Sequence, residues 1–197
     1  MSIKAVIFDL DGTITEPVLD FDAIRREMGL GETKEPILEA MRKMPTEKRA
    51  AAQQILDEHE REAVAESVLN TGAAETLELL RKRNIKIGIL TRNTRANALS
   101  IAAKHNLEFD AVYDRDDGPV KPDAFGILFL CRQFGVKPNE TIMVGDYLFD
   151  LLCAKAAGAN SVLLANHSKA DEFAEHADFV IENIGQVLEI IEQKNSV

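Results

Sequence analysis

The chain has 197 residues, 46% of them hydrophobic, which is enough for one substantial core together with a small second module. Its formal net charge of -10 argues against general nucleic-acid binding, because a phosphate polymer needs a basic surface, whereas a small phosphorylated molecule needs only a local positive site. All apolar runs are far shorter than the roughly 20 residues that span a bilayer, so no membrane partner is expected.

Short apolar runs alternate with helical patterns along most of the chain, and this alternation is typical of a parallel α/β sheet. The runs are rich in β-branched residues, as expected for strands that helices cover on both faces. Strands are predicted at residues 3–8, 85–90, 111–113, 141–144, 161–164 and 179–181.

Capping residues mark the ends of the helical patterns between these strands. Thr94 and Asp123 are the predicted N-caps of helices over residues 95–105 and 124–134. Gly135 and Gly158 follow the predicted ends of helices over residues 124–134 and 148–157, and a further helix is predicted over residues 73–83.

Residues 16–71 contain no strand pattern and interrupt the alternation. Three helical patterns there begin near a capping residue or a proline, namely Asp20, Pro36 and Pro45. We therefore predict a catalytic core formed by residues 1–15 and 72–197, with an all-helical cap of residues 16–71 inserted after the first strand, over one end of the sheet.

Polar residues follow each of the first four predicted strands. Open α/β sheets bind ligands at the carboxyl ends of their strands, so these side chains are expected to share one site. They are Asp9 and Asp11 in "DLDGT", then Thr91, Arg92 and Asn93, then Lys121 before Pro122, and finally Asp146 and Asp150 in "VGDYLFD".

Phosphoryl transfer is the chemistry that needs this set. Carboxylates are the ligands that Mg²⁺ prefers, and the cation would offset the repulsion between Asp9 and the acids after the fourth strand. A carboxylate can attack phosphorus, and a second acid crowded by neighbouring charges is favoured in its protonated form, which suits a general acid. Thr91 and Lys121 would hold phosphoryl oxygens.

The motifs "DLDGT", a strand ending in Thr91, "KPD" and "VGDYLFD" resemble, in order and spacing, the four motifs of the haloacid dehalogenase superfamily, mostly Mg²⁺-dependent phosphatases with a Rossmann-like core. The resemblance covers residues 1–15 and 72–165. The helical insert is similar to the cap of the subgroup that contains phosphoglycolate phosphatases and β-phosphoglucomutases.

This resemblance implies a role for each residue of the set. Asp9 would be the nucleophile and a metal ligand, and Asp11 the acid and base, with its backbone carbonyl also on the metal. Asp146 would be a direct metal ligand and Asp150 a supporting partner at the same metal site. Substrate contacts are implied for Thr91 and Lys121, and for the backbone near Arg92 and Asn93.

The predicted function is that of a Mg²⁺-dependent phosphomonoester hydrolase that acts on a small phosphorylated metabolite, such as phosphoglycolate, through an aspartyl-phosphate. A sugar-phosphate mutase of the β-phosphoglucomutase type is the alternative, and a catalytically silent binding module is a more distant one. Asp11 argues against carbon–halogen cleavage, because the true dehalogenases of the family lack this second acid. Arg92 directly after Thr91, and Tyr147 in the fourth motif, depart from the common pattern.

Cysteine and histidine usage points to no further site. Cys131 and Cys153 lie in apolar helical patterns without metal-binding spacing, so reduced core thiols in a cytoplasmic protein are expected. The first strand is predicted to begin at residue 3, so no signal peptide is expected. Four histidines without metal-ligand spacing are predicted to be exposed helix or loop residues: His59, His105, His167 and His176.

Overall fold

The computed structural model describes residues 2–31 and 35–196, so residues 1, 32–34 and 197 of the predicted domains lie outside the described part. The strands are β1 (Ala5–Phe8), β2 (Lys86–Leu90), β3 (Ala111–Tyr113), β4 (Thr141–Gly145), β5 (Asn160–Leu164) and β6 (Phe179–Ile181). The helices are α1 (Phe21–Glu27), α2 (Ile37–Arg42), α3 (Thr46–Glu66), α4 (Ala73–Lys82), α5 (Arg95–His105), α6 (Phe125–Phe134), α7 (Leu148–Ala157) and α8 (Val187–Asn195).

The strands form one parallel sheet in the order β3-β2-β1-β4-β5-β6. The chain builds outward from β1 to β3 and then returns to the other side of β1 with β4. Strand order therefore reverses between β1 and β4, which is the place where open α/β sheets form a ligand-binding crevice. The predicted Rossmann-like α/β fold is confirmed.

Strand β1 is buried on both faces, as its continuous apolar sequence predicted. Ile7 packs into a cluster with residues of α6 and α7, among them Ile127, Leu130 and Ala154. Neighbouring residues of a strand point to opposite faces, so Val6, which is also fully buried, lies on the other face of the sheet. Helices and loops thus exclude water from both sides of the strand that leads into Asp9.

The same core holds both cysteines as free thiols, as predicted. Burial raises the pKa of Cys153 to about 12, so this thiol stays protonated at neutral pH. The Cys153 thiol lies 3.0 Å from the carbonyl oxygen of Asp123, to which it donates. The two cysteines are therefore packing residues.

The predicted helix ends are mostly confirmed. Thr94 caps α5 by accepting the N–H of Asn97, and Gly135 and Gly158 end α6 and α7 with φ values of 68° and 76°. Asp123 was wrongly predicted to be the N-cap of α6, since that position belongs to Ala124. The Asp123 carboxylate instead accepts the N–H of Phe125 at 2.8 Å, in the turn that precedes the helix.

The chain divides into two compact units, residues 1–17 with 68–197, and residues 18–67. The smaller unit contains α1, α2 and α3, and a separate apolar cluster holds them together: Ile24, Ile37, Met41, Ala52 and Leu56. Its boundaries lie inside the predicted 16–71, because Glu16 N–H donates to Val68 O and Asn70 N–H donates to Ile14 O. Both bonds lie within the larger unit, so residues 16–17 and 68–71 belong to the core. The role of the smaller unit as a cap stays a prediction.

No helix in the described part of the chain combines the length and the apolar character needed to cross a membrane.

Candidate active site

The loop after β1 carries Asp9 and Asp11 at the carboxyl edge of the sheet, where strand order reverses. Asp9 N–H donates to Val144 O of β4 at 2.9 Å, which continues the strand pairing beyond β1. The chain then turns tightly, and Ile14 N–H donates to Leu10 O at 2.9 Å. The two acids of "DLDGT" therefore lie beside the loop that follows β4.

Gly12 allows this loop to contact Asp146 closely. Its φ is +88°, in the region that favours glycine, and a Cβ atom there would lie 2.4 Å from Asp146 Oδ2. The next residue, Thr13, donates its hydroxyl to Asp146 Oδ1 at 3.0 Å. The glycine and the threonine of the first motif thus fix the position of an acid in the fourth motif.

Three carboxylates converge at this edge. Oxygen atoms of Asp9, Asp146 and Asp150 all lie within 4.8 Å of one another. Like charges this close repel, and burial followed by the charge of Asp9 raises the pKa of Asp146 to about 7. Hard oxygen donors in a compact group suit Mg²⁺, which commonly combines protein carboxylates with water and substrate oxygens. The donor set therefore fits the predicted ion.

Lys121 supplies the positive charge of the cluster. Its side chain is 3% exposed, and its Nζ lies 2.7 Å from Asp9 Oδ1 and 2.6 Å from Asp150 Oδ1. Burial opposes the charge on Lys121, but the carboxylates of Asp150 and Asp9 raise its pKa above the usual value. The ammonium has a third N–H, which could donate to a phosphoryl oxygen as predicted.

Asp150 anchors Lys121. Its side chain is 1% exposed, and while its Oδ1 contacts Lys121, its Oδ2 accepts the N–H of Tyr147 at 3.1 Å. Both oxygens are thus engaged by donors of the protein. The supporting role of Asp150 at a metal site stays a prediction.

Asp11 lies outside the three-carboxylate group, and its Oδ2 accepts a hydrogen bond from the Asn93 amide at 3.1 Å. Burial, then the charge of Asp9, raises its pKa to about 6, although the Asn93 hydrogen bond and Lys121 act in the opposite direction. A carboxyl group with this pKa can both donate and accept a proton near neutral pH. The position and the pKa of Asp11 suit the predicted acid and base.

The loop after β2 brings Thr91 and Asn93 to the same edge, both of them buried. Thr91 Oγ1 accepts the N–H of Asn93 at 2.9 Å, and Asn93 Oδ1 accepts hydrogen bonds from the Thr94 N–H and the Asn97 amide. These bonds orient the Asn93 amide toward Asp11. Asn93 therefore contacts the acid and base through its side chain, beyond the backbone contact that the sequence predicted.

The Arg92 side chain contacts the backbone of Lys121 and an aromatic ring. Its guanidinium donates to the carbonyl oxygen of Lys121 and lies over the ring of Phe149, with 5.1 Å between the guanidinium carbon and the ring centroid. The side chain thus supports the segment that carries Lys121. A substrate contact by the backbone of Arg92 stays a prediction.

Four residues of the site were not predicted from the sequence: Thr13, Asn70, Asn166 and His167. Asn70 donates to the carbonyl oxygens of Gly12, Thr13 and Thr15 at 2.8 to 3.0 Å. Asn166 and His167 follow β5, so the same rule of strand ends could have found them. His167 lies in a loop, as predicted, but it is half-buried and not exposed, and its ring contacts the Asp146 backbone. For Asn70 no such signal exists.

The family model of the haloacid dehalogenase-like hydrolases matches residues 3–158. The chain belongs to this family. The motifs and the fold agree with this assignment, and the resemblance predicted from the sequence is confirmed.

Relatives of this family span nearly the whole chain. An uncharacterized hydrolase of Saccharomyces cerevisiae is 31% identical over 98% of this chain and 93% of its own length. A phosphoglycolate phosphatase of Chromobacterium violaceum is 26% identical over 96% of both chains. The crystal structure of a hydrolase from Pseudomonas syringae superposes with a TM-score of 0.79 at 23% identity, covering 96% of this chain and 98% of that one. The predicted enzyme class, a phosphatase of the haloacid dehalogenase type, is confirmed.

Proposed function

We propose that the protein is a Mg²⁺-dependent phosphomonoester hydrolase that works through an aspartyl-phosphate on a small phosphorylated metabolite in the cytoplasm. The observation that carries the proposal is the placement of Asp9, whose carboxylate lies 2.7 Å from the Lys121 ammonium and within 4.8 Å of Asp146 and Asp150. The proposed nucleophile thus lies beside an ammonium group and two further carboxylates at one edge of the sheet, and the proposed proton donor Asp11 follows it by two residues.

Asp9 and Asp146 would hold Mg²⁺, which when bound offsets their repulsion and stabilises charge on the phosphoryl oxygens. Lys121 would orient those oxygens with its remaining N–H, and Thr91 with its hydroxyl. Asp150 keeps the Lys121 ammonium in place at 2.6 Å. The phosphoryl group of the substrate would therefore be aligned with the Asp9 carboxylate before any bond changes.

In the first step an Asp9 carboxylate oxygen forms a bond to phosphorus while the bond from phosphorus to the substrate oxygen breaks. Asp11 transfers its proton to the departing oxygen, so the alcohol leaves as a neutral molecule. The pKa of about 6 at Asp11 supports this role, since about a tenth of these carboxyl groups stay protonated at pH 7, far more than at an ordinary aspartate. The products of this step are the alcohol and an Asp9 aspartyl-phosphate.

In the second step Asp11, now ionised, takes a proton from a water molecule. The water oxygen forms a bond to phosphorus, the bond between phosphorus and the Asp9 oxygen breaks, and inorganic phosphate leaves. Asp9 regains its carboxylate, and Asp11 is again protonated. One carboxyl group therefore serves both steps in opposite directions.

The relatives support a substrate class. The similarity to a phosphoglycolate phosphatase supports a small phosphorylated metabolite, and 2-phosphoglycolate is the first compound to test. A panel of phosphorylated metabolites scored by kcat/KM identifies the preferred one. Release of inorganic phosphate supports the hydrolase, whereas an isomerised sugar phosphate without phosphate release would indicate the mutase.

The direct test is hydrolysis of p-nitrophenyl phosphate with Mg²⁺ and with excess EDTA. We expect turnover with Mg²⁺, loss of turnover with EDTA, and loss of turnover in Asp9→Asn. Asp110→Asn is the matched control, because Asp110 precedes β3 at the opposite edge of the sheet and contacts Lys86 there. Wild-type hydrolysis in Asp9→Asn would contradict the assigned nucleophile, and EDTA-resistant hydrolysis would contradict the metal requirement.

A further inference from the structure

Two consecutive side chains after β5 bind the backbones of both acid-bearing loops. Asn166 donates its amide to Gly12 O at 2.7 Å, and His167 Nε2 lies 2.7 Å from Asp146 O. Strand β4 lies between β5 and β1, so Asn166 reaches past β4 to the loop after β1. One short segment is therefore bonded to both loops that carry the nucleophile and the metal-binding carboxylates.

The chemistry of the partners fixes how each side chain is oriented. The carbonyl of Asp146 can only accept and the N–H of Lys169 can only donate, so His167 carries its proton on Nε2 and accepts the Lys169 N–H on Nδ1 at 3.2 Å. Asn166 must direct its NH₂ group at Gly12 O, because the opposite orientation would place two oxygens together. Its Oδ1 is buried without a hydrogen-bond partner in the described part of the chain. Asn166 thus keeps the bond to Gly12 despite an unpaired buried acceptor.

The two carbonyl groups bound by Asn166 and His167 belong to Gly12 and Asp146, which contact each other. Gly12 packs directly on the Asp146 carboxylate, so a shift of either loop changes the distance between Asp9 and Asp146. Repulsion between the carboxylates of Asp9 and Asp146 favours a wider separation when no metal ion is bound. Bonds from one segment to both loops oppose that widening.

We propose that Asn166 and His167, here called the β5 clip, are positioning residues that hold the loop after β1 and the loop after β4 at the spacing that Mg²⁺ binding needs. This inference rests on the proposed function only in taking Asp9 and Asp146 as the residues that hold the ion. The clip touches neither substrate nor metal and acts through the backbones of Gly12 and Asp146.

The test measures Mg²⁺ binding to the substrate-free protein by isothermal titration calorimetry. Mutation of a residue that orients a metal ligand without touching the metal typically lowers metal affinity by 10- to 100-fold. We therefore expect Asn166→Ala and His167→Ala each to raise the Kd for Mg²⁺ about 10-fold. His167→Gln, whose amide can donate from nearly the same position as Nε2, should stay within about twofold of the wild type. The Mg²⁺ concentration for half-maximal p-nitrophenyl phosphate hydrolysis should shift in parallel.

Asn160→Ala is the matched control. Asn160 begins β5, and its amide donates to Thr141 O at 3.0 Å, so it ties two strands together at the other edge of the same sheet. It should lower the Tm without changing the Kd for Mg²⁺. An equal loss of Mg²⁺ affinity in Asn160→Ala would reduce the effect to general destabilisation and overturn the proposal.

The remaining outcomes distinguish a failure of the clip proposal from a failure of the proposed phosphatase function. Wild-type Mg²⁺ affinity in both alanine variants would overturn the clip even if phosphate release is normal. Weakened Mg²⁺ binding in those variants would support the clip even if no phosphate ester is hydrolysed. Should Asn166→Ala fail to fold, the difference between His167→Ala and His167→Gln decides, since equal Mg²⁺ affinity in these two variants overturns the proposal.

Discussion

The parallel strands begin at one side of the sheet, here called the amino edge, and end at the other, the carboxyl edge. These two edges carry the same residue types in different surroundings. At the amino edge, Lys4 lies 2.6 Å from Glu140 and Lys86 lies 2.8 Å from Asp110, with lysine side chains that are 55% and 50% exposed. At the carboxyl edge, Lys121 lies at similar distances from Asp9 and Asp150 but is 3% exposed. The distances between the charges are alike at the two edges, whereas the exposure of the lysine side chains to water differs.

This difference gives the aspartates of the two edges opposite properties. At Asp110 partial burial acts upward, but the hydrogen bond and charge of Lys86 prevail and lower the pKa. At Asp11 burial prevails and raises the pKa to about 6. An ion pair in water is also worth little to stability, whereas a buried charge depends strongly on its partner. Acids and lysines occur at both edges, so it is desolvation that raises the aspartate pKa values at the carboxyl edge.

The largest expected difference is in kcat, between the variants Asp11→Asn and Asp110→Asn. Removing a general acid and base typically costs 10²- to 10⁴-fold, so kcat for an alkyl phosphate should fall by that factor in Asp11→Asn and stay near wild type in Asp110→Asn. Steady-state phosphate release measures both variants. Equal rates for Asp11→Asn and the wild type would remove Asp11 from the mechanism.

A second measurement on Asp11→Asn separates the two steps. The p-nitrophenolate ion leaves without a proton, so the first turnover of p-nitrophenyl phosphate should survive the loss of the acid. Hydrolysis of the aspartyl-phosphate still needs the base. Stopped-flow absorbance should therefore record a burst of one p-nitrophenolate per active site, followed by slow turnover, and a linear trace at the wild-type rate would contradict this division of roles.

The next contrast compares the two lysines as partners of buried and exposed carboxylates. Lys121→Met leaves Asp9 and Asp150 without their cation, and breaking a buried pair in this way typically costs about 3–5 kcal/mol in the free energy of unfolding. Lys86→Met should cost less than about 1 kcal/mol, since Lys86 is half exposed and Asp110 keeps the hydrogen bond from the Ile87 N–H. Urea denaturation at pH 7.5 measures both values. Similar losses in the two variants would show that exposure does not separate the edges.

The contrast between the edges also explains what the sequence could predict. The strands and the acids Asp9, Asp11 and Asp146 were readable because each apolar run ends abruptly in polar residues, and parallel strands bring those ends together. Asn70 was not readable, because it contacts Gly12 across 58 positions and lies in no strand or helix. Asn166 follows β5, so its place at this edge was readable, but its bond to the same carbonyl spans 154 positions and was not. Such bonds depend on how loops fold back, and no local periodicity encodes them.

A smaller contrast involves two glycines with positive φ. A Cβ atom added to Gly135, near the amino edge, would meet no atom of the described residues within 4 Å, so Gly135→Ala should cost only the strain of its conformation, about 1–2 kcal/mol. Gly12→Ala adds a contact of 2.4 Å with Asp146 Oδ2 and should cost more than Gly135→Ala. It should also weaken Mg²⁺ binding, which Gly135→Ala should leave unchanged. Calorimetric Mg²⁺ titration and urea denaturation test the pair, and equal effects of the two variants would contradict the close contact.

The smallest expected effect is the pH dependence of thermal stability in the metal-free protein. The pKa values of Asp11, Asp146 and Asp150 are raised to about 6, about 7 and about 7, above their unfolded values near 3.8, so between pH 4 and 7 the folded protein binds more protons than the unfolded chain. Their contribution to stability is therefore present at low pH and is lost as the pH rises through 6 and 7. The lowered pKa of Asp110 acts below this window, so Asp110→Asn should not alter the slope.

Differential scanning fluorimetry from pH 5.5 to 7.5 with EDTA measures this dependence. Each kcal/mol lost should lower the Tm by roughly 2–4 °C in a chain of this size. Asp146→Asn, which cannot titrate, should flatten the fall, and Mg²⁺ should raise the Tm most at pH 7.5, where the carboxylates that bind it are ionised. A Tm that rises with pH in EDTA would mean that water reaches the carboxyl edge as freely as the amino edge, and the contrast between the two edges would be lost.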